Sequence, residues 1–255
     1  MFKLSFSRIR ILGAVLVTLL LAAACGGGGD TATAGVGSGG TGFLSGSVTK
    51  GPVSGTTVTA YAISGGQAGA QVGTTSTDAN GSFSMSIGTY AGPVMLQTSG
   101  GSFIDEATGT TMSMAQGDVM SVAIPSVAAG ASTGGIQVTP VTAMAQAIAK
   151  QMAGGMTDAN IAAANTAMGS YFSVTDIVHV RPINPLLPGS GANASQDAQN
   201  YGMTLAAMSK YAQLQGMGSS SAMVTAMMND AADGIMDGMR GRSPISMSTG
   251  GMMGG

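Results

Sequence analysis

The apolar pattern of this chain changes period once, at Val138-Thr139, and no single kind of element can run through such a change. Before it, short runs alternate: Phe83, Met85 and Ile87 are interleaved with Ser82, Ser84 and Ser86, which makes a strand with one apolar and one polar face. After it, Val141, Met144, Ile148 and Met152 recur at helical spacing. The pattern predicts an α+β protein in separate domains. An N-terminal β sandwich over 43–138 is followed by a small α-helical bundle over 139–242.

Within the first region, short β segments are divided by turns about every ten residues. Thr57–Ile63 is a strand led in by Gly51-Pro52 and Gly55, and Val94–Gln97 follows Gly92-Pro93. Asp118–Ile124 and Ile136–Val138 are later strands. Asp78-Ala79-Asn80-Gly81 suits a type I turn closed by a left-handed glycine, the three-residue connection of a hairpin.

Two stretches here, GSVTKGPVSGTTVTAY (Gly46–Tyr61) and TTSTDANGSFSM (Thr74–Met85), resemble the carboxypeptidase-regulatory-like domains. These are small prealbumin-like or Ig-like sandwiches appended to exported bacterial proteins. The resemblance covers roughly residues 43–125. It implies a sandwich fold and no peptidase activity, because its motifs are structural.

In the second region, Thr139-Pro140 places an N-cap residue before proline at the first helical position, and Gly154-Gly155 stops that helix. Thr157 caps a second helix carrying Ile161, Ala164 and Met168. The segment 171–193 holds Pro182, Pro185 and Pro188 and reads as a long irregular connection. Ser195 opens a third helix with Tyr201, Leu205, Met208 and Ala212 on one face. Ser219–Ser221 opens a fourth with Met223, Met227, Ala231 and Ile235. Residues 243–255 read as a disordered Met/Gly tail.

Ahead of both regions, Lys3, Arg8 and Arg10 precede the apolar run Ile11–Ala24, which is too short to span a membrane comfortably and has the flanks of an export signal. Its ending, Leu21-Ala22-Ala23-Ala24-Cys25, resembles a bacterial lipobox. The resemblance implies removal of residues 1–24 and lipidation of the Cys25 sulfur. Residues 25–42, rich in Gly, Ser and Thr, form a tether with a root-mean-square span of roughly 20–25 Å. Gly26, where an Asp would resemble an inner-membrane retention signal, favours the outer membrane.

Composition removes several functions. The formal net charge is −2, and losing the leader's three basic residues leaves the remainder more acidic, so the basic footprint of nucleic-acid binding is missing. One cysteine allows no intramolecular disulfide. With one His and one Glu, the chain cannot supply a zinc-peptidase ligand set. His179 has no recognisable nucleophile or orienting partner and reads as a partly buried residue in an extended connection. Asp105 and Glu106 are adjacent, so on a strand they point to opposite faces and make a poor acid/base pair. Asp230, Asp233 and Asp237 fall near one helix face. Three carboxylates are too few for Ca²⁺, which takes six to eight oxygens, so the cluster reads as a solvated polar face. The 21 methionines read as core fillers, although Met247, Met252 and Met253 in the tail are not explained that way.

These features lead to the expectation of a lipid-anchored, non-catalytic structural or binding protein of the bacterial cell envelope. No cofactor, metal or catalytic residue is assigned. Its partners are the membrane, through lipid on Cys25, and an envelope protein. Two alternatives stand beside it: a Met-rich Cu(I)-binding protein, and an adhesin or assembly subunit that uses sheet edges for β-augmentation.

Overall fold

The backbone was followed in a computed structural model that describes residues 40–114 and 117–245. Cys25, the leader, most of the tether and the tail methionines lie outside the described residues. The elements run β1 (Gly42–Val48), β2 (Thr57–Ser64), β3 (Gln67–Ser76), β4 (Ser82–Gly88), β5 (Gly92–Ser99), β6 (Ser102–Ile104), β7 (Thr111–Ser113), β8 (Ser121–Val127) and β9 (Ser132–Val138). Then come α1 (Pro140–Gln151), α2 (Asp158–Phe172), α3 (Gln196–Leu214), α4 (Ser220–Ala231) and a small pair, β10 (Met239–Arg240) and β11 (Ser243–Pro244). The class is α+β.

The strands form a three-stranded sheet ordered β4-β1-β9 and a four-stranded sheet ordered β3-β2-β5-β8. β1 pairs antiparallel with β4 and parallel with β9, while the larger sheet is antiparallel throughout. β4 has the alternation its sequence predicts, with Phe83, Met85 and Ile87 buried and the intervening serines turned outward.

The turn before β4 differs from expectation in what it joins. Gly81 does take a positive φ, +75°, and its N–H donates to Asp78 O at 3.1 Å. The Asp78 carboxylate accepts from the N–H groups of Asn80 and Ser82. However, β3 and β4 belong to different sheets, so the connection is a passage between sheets and not a hairpin. The sequence motif specifies the local turn, which is compatible with either path. A side chain at Gly81 would also meet Val48 O at 2.6 Å, so even Asn, tolerant of positive φ, does not fit.

The helices begin where their caps predict. Thr139, Thr157, Ser195 and Ser219 each accept a backbone N–H in the first turn. α1 and α2 cover the free edge of β8. The Thr142 hydroxyl donates to Ser121 O at 2.9 Å and the Asn165 amide to Ala123 O at 3.2 Å, satisfying carbonyls that an open edge would expose. That covering explains why β8 is apolar almost throughout.

One contiguous cluster of buried side chains, including Leu44, Leu96, Val122, Ile136, Met144, Ile161, Tyr201, Leu205 and Val224, runs through both sheets and all four helices. The expected boundary at 138/139 therefore coincides with the change of period but not with a break in packing. The described residues belong to one compact unit. Near its end, Ser243 and Pro244 pair with Arg240 and Met239, so part of the segment expected as tail is strand.

Candidate functional site: a buried polar junction between strands and helices

Lys50 is fully buried, which is unusual for a lysine and calls for compensation. It sits in the turn after β1, in the Lys50-Gly51-Pro52 stretch. Gly51 has φ +63°, and a side chain there would lie 2.3 Å from Ile104 O, so the turn presses directly on the end of β6. Backbone bonds of 2.8 and 3.0 Å between Ser54 and Ser102 hold it there. Asp105 and Glu106 come immediately after β6.

This contact corrects the reading of Asp105 and Glu106 as opposite faces of a strand. β6 ends at Ile104, and the two acids lie in a turn closed by Gly109 N–H donating to Asp105 O at 2.8 Å. Both carboxylates are buried, and each is engaged by a different helix. Glu106 Oε2 lies 3.3 Å from Lys50 Nζ and accepts from the Ser209 hydroxyl of α3 at 2.6 Å. Lys50 Nζ also donates to Ser209 Oγ and stands 5.4 Å from the centre of the Phe103 ring. The Lys50 and Glu106 side chains are 0% and 2% exposed.

Asp105 Oδ2 accepts from the Ser220 hydroxyl of α4 at 2.6 Å, and Oδ1 accepts from the N–H groups of Ala107 and Thr108 and the Thr108 hydroxyl. Burial alone would raise its pKa. The Ser220 bond, the Lys50 charge and the Thr108 and Ala107 bonds outweigh burial and hold it below the ordinary carboxylate value. Asp118 takes the hydroxyls of Ser221 and Thr225 at 2.6 and 2.8 Å. The strand region thus presents acids, and α3 and α4 answer with hydroxyls. At the start of α1, the Tyr201 hydroxyl lies 2.6 Å from Thr139 Oγ1 and donates to Ile177 O, and burial pushes its phenol far up.

The junction is closed. Grooves of about 400 and 470 Å³ flank α4, the first lined by Asp118, Met217, Thr225, Arg240, Pro244 and Ile245 among others, the second by Ile148, Met152, Asp233 and Arg240. Neither reaches Lys50, Glu106 or Ser209. The Ser209 proton is committed to a carboxylate and the oxygen is shielded, so this Ser–Lys contact does not present a nucleophile to an outside substrate.

The remaining candidates are placed as follows. α4 ends at Ala231, so Asp233 and Asp237 lie beyond it and the shared helix face does not exist. Asp230 Oδ1 accepts from the N–H groups of Asp237 and Gly238, Asp233 from those of Ile235 and Gly241, and Asp237 from that of Met239. The three acids hold the turns that lead into β10 and β11. His179 is exposed, not partly buried, and its ring Nδ1 lies 2.8 Å from Asp176 Oδ2. Met144, Met168, Met208 and Met223 are buried in the core. Among the described residues no group of three His, Cys, Asp or Glu is placed to hold a metal ion, and no helix is long and apolar enough to cross a membrane.

Sequence reasoning missed the junction because it links residues far apart along the chain. Two signals pointed toward it: the chain's one glutamate, and a lysine inside the apolar frame Val48–Val53. No family model and no curated protein matches this chain. Among solved structures, a 9R-lipoxygenase from Cyanothece PCC8801 aligns at 14% identity with a TM-score of 0.24. The alignment covers 39% of this chain and 16% of that one, a likeness too slight to bear on fold or function.

Proposed function

We propose that the protein is a lipid-anchored, non-catalytic structural or binding component of the bacterial cell envelope, held at the outer membrane through Cys25. The observation that carries this reading is the order of three features: a basic-flanked apolar leader, a cysteine at its end, and a Gly/Ser/Thr tether before the first strand. A closed junction whose buried polar groups all find partners suits a scaffold that presents its surface. The two sheets are read as the layers of a carboxypeptidase-regulatory-like sandwich, with the passage at Asp78–Gly81 as one corner. The helical region is docked against the edge of that sandwich. Metabolic labelling with a fatty acid tests the anchor: label is expected on wild type and absent from Cys25→Ser. Equal labelling of the two overturns the reading.

A further inference from the structure

An ammonium and a carboxylate in water do not condense, because the nitrogen has no free electron pair and the carboxylate carbon resists attack. At Lys50 and Glu106 these two obstacles are weakened together. Both side chains are withdrawn from solvent, at 0% and 2% exposure, where separated charges are costly. Passing one proton from the ammonium to the carboxylate cancels both charges and leaves an amine facing a carboxylic acid. A path for that proton is already in place. The Ser209 hydroxyl accepts from Lys50 Nζ and donates to Glu106 Oε2 at 2.6 Å, so it bridges the two groups.

The geometry points to an intramolecular amide bond between Lys50 Nζ and Glu106 Cδ, formed after folding and joining the β1–β2 turn covalently to the β6–β7 turn. The nitrogen already stands 3.3 Å from Oε2, an oxygen bonded to the carbon it attacks. Holding the amine and the carboxyl group side by side replaces a bimolecular encounter with an intramolecular one, which raises the effective concentration of each. The Nζ electron pair forms the new C–N bond. The C–Oε2 bond breaks, and two of the three ammonium protons leave with that oxygen as water, at least one of them by way of Ser209. No oxidant, reductant or other reactant is consumed. Asp105, tied by Ser220, Thr108 and Ala107, stays ionised beside the site and is not the acceptor. Phe103 covers the lysine at 5.4 Å and keeps competing water away. A chain with one cysteine has no disulfide available, and this bond gives it another kind of covalent tie.

Mass spectrometry of the full-length chain, purified from its membrane and denatured, decides the matter. Trypsin cuts after a free lysine but not after an acylated one, and between Lys50 and Lys150 the sequence offers no other site. The bonded protein yields a peptide that runs through Lys50 to Lys150 and weighs one water less than its sequence. Glu106→Leu, which has no carbonyl to acylate the amine, and Ser209→Ala report on the acceptor and the relay. The first should abolish the water loss and restore cutting after Lys50, and the second should slow bond formation in freshly made protein. Wild-type protein that is cut after Lys50 and has its full sequence mass overturns the proposal, whatever the variants do. No Lys or Arg lies between Cys25 and Lys50, so the uncut peptide carries Cys25. A lipid there adds its own mass but changes neither the cutting after Lys50 nor the one-water deficit, so the result is independent of the anchoring test.

Discussion

Two groups of carboxylates do opposite work in this molecule. Asp105 and Glu106 are neighbours in sequence, and Asp105 Oδ1 is held locally by Ala107 and Thr108. Yet Asp105 Oδ2 and Glu106 Oε2 reach Ser220, Ser209 and Lys50, which come from α4, α3 and the turn after β1. Asp230, Asp233 and Asp237 are spread over two helical turns of sequence, yet the bonds found for their carboxylates go to backbone N–H groups within eight residues. The first group is a long-range tie between strands and helices, and the second is local punctuation. The lesson is that an acidic cluster says little by its spacing. What matters is whether its oxygens are answered by the nearby backbone or by distant side chains.

The largest effect should come from separating the partners of the tie. Lys50→Met leaves Glu106 buried without its cation and without the inferred amide, and the broken charge pair alone costs about 3–5 kcal/mol. Adding Glu106→Leu should return most of that loss, since a well-packed apolar pair often replaces a buried ion pair at little cost. Denaturant melts of the two variants read the difference. A double variant no better than the single one would show that the two residues are not coupled.

Asp105 sharpens the comparison through pH. Its folded pKa lies below the ordinary 3.8, so its contribution is fully present above that value and is lost as pH falls through the lower folded value. Asp105→Asn should cost about 1–3 kcal/mol at neutral pH, because Ser220 loses a charged acceptor. It should also flatten the acid limb of the stability curve below the ordinary carboxylate value. Thermal melts across acidic pH check this, and an unchanged acid limb would remove Asp105 from the tie.

The smallest effect belongs to the local group. Asp230→Ala should cost about 0.5–2 kcal/mol, as for a lost helix cap. The change should be confined to its surroundings, with faster amide hydrogen exchange at Asp237 and Gly238 and no change at Ser209 or Glu106. Spread of faster exchange to Ser209 would mean that the two groups are not independent.

The same contrast explains what could be read from the sequence. Features governed by neighbours along the chain were legible. The caps at Thr139, Thr157, Ser195 and Ser219, the alternation of β4 and the positive φ of Gly81 follow from local chemistry. Features governed by the global path were not. The strands flanking Asp78–Gly81 look like a hairpin until their sheets are known, because a turn carries no record of where its second strand pairs. A shared core was hidden for a related reason. The change of period at Val138-Thr139 marks a change of element, but periodicity does not say against what an apolar face packs. The candidate site lies at the far end of this scale. Lys50 and Ser209 are 159 residues apart, and only the fold brings them together.

The parallel pairing of β1 with β9 has a consequence in time. β1 can meet β4 early, but its other edge waits until the chain as far as Val138 exists, and the Ser47–Gln137 bond across that edge spans 90 residues. Closing loops of that size is slow compared with forming a local turn. A chain emerging amino end first must therefore leave one edge of its first strand open while the seven strands β2–β8 are made. The last buried contact of that opening segment, from Lys50 to α3, cannot form until most of the protein has been synthesised. The first strand is thus made early and buried late, waiting for β9 on one edge and for α3 at the turn that follows it.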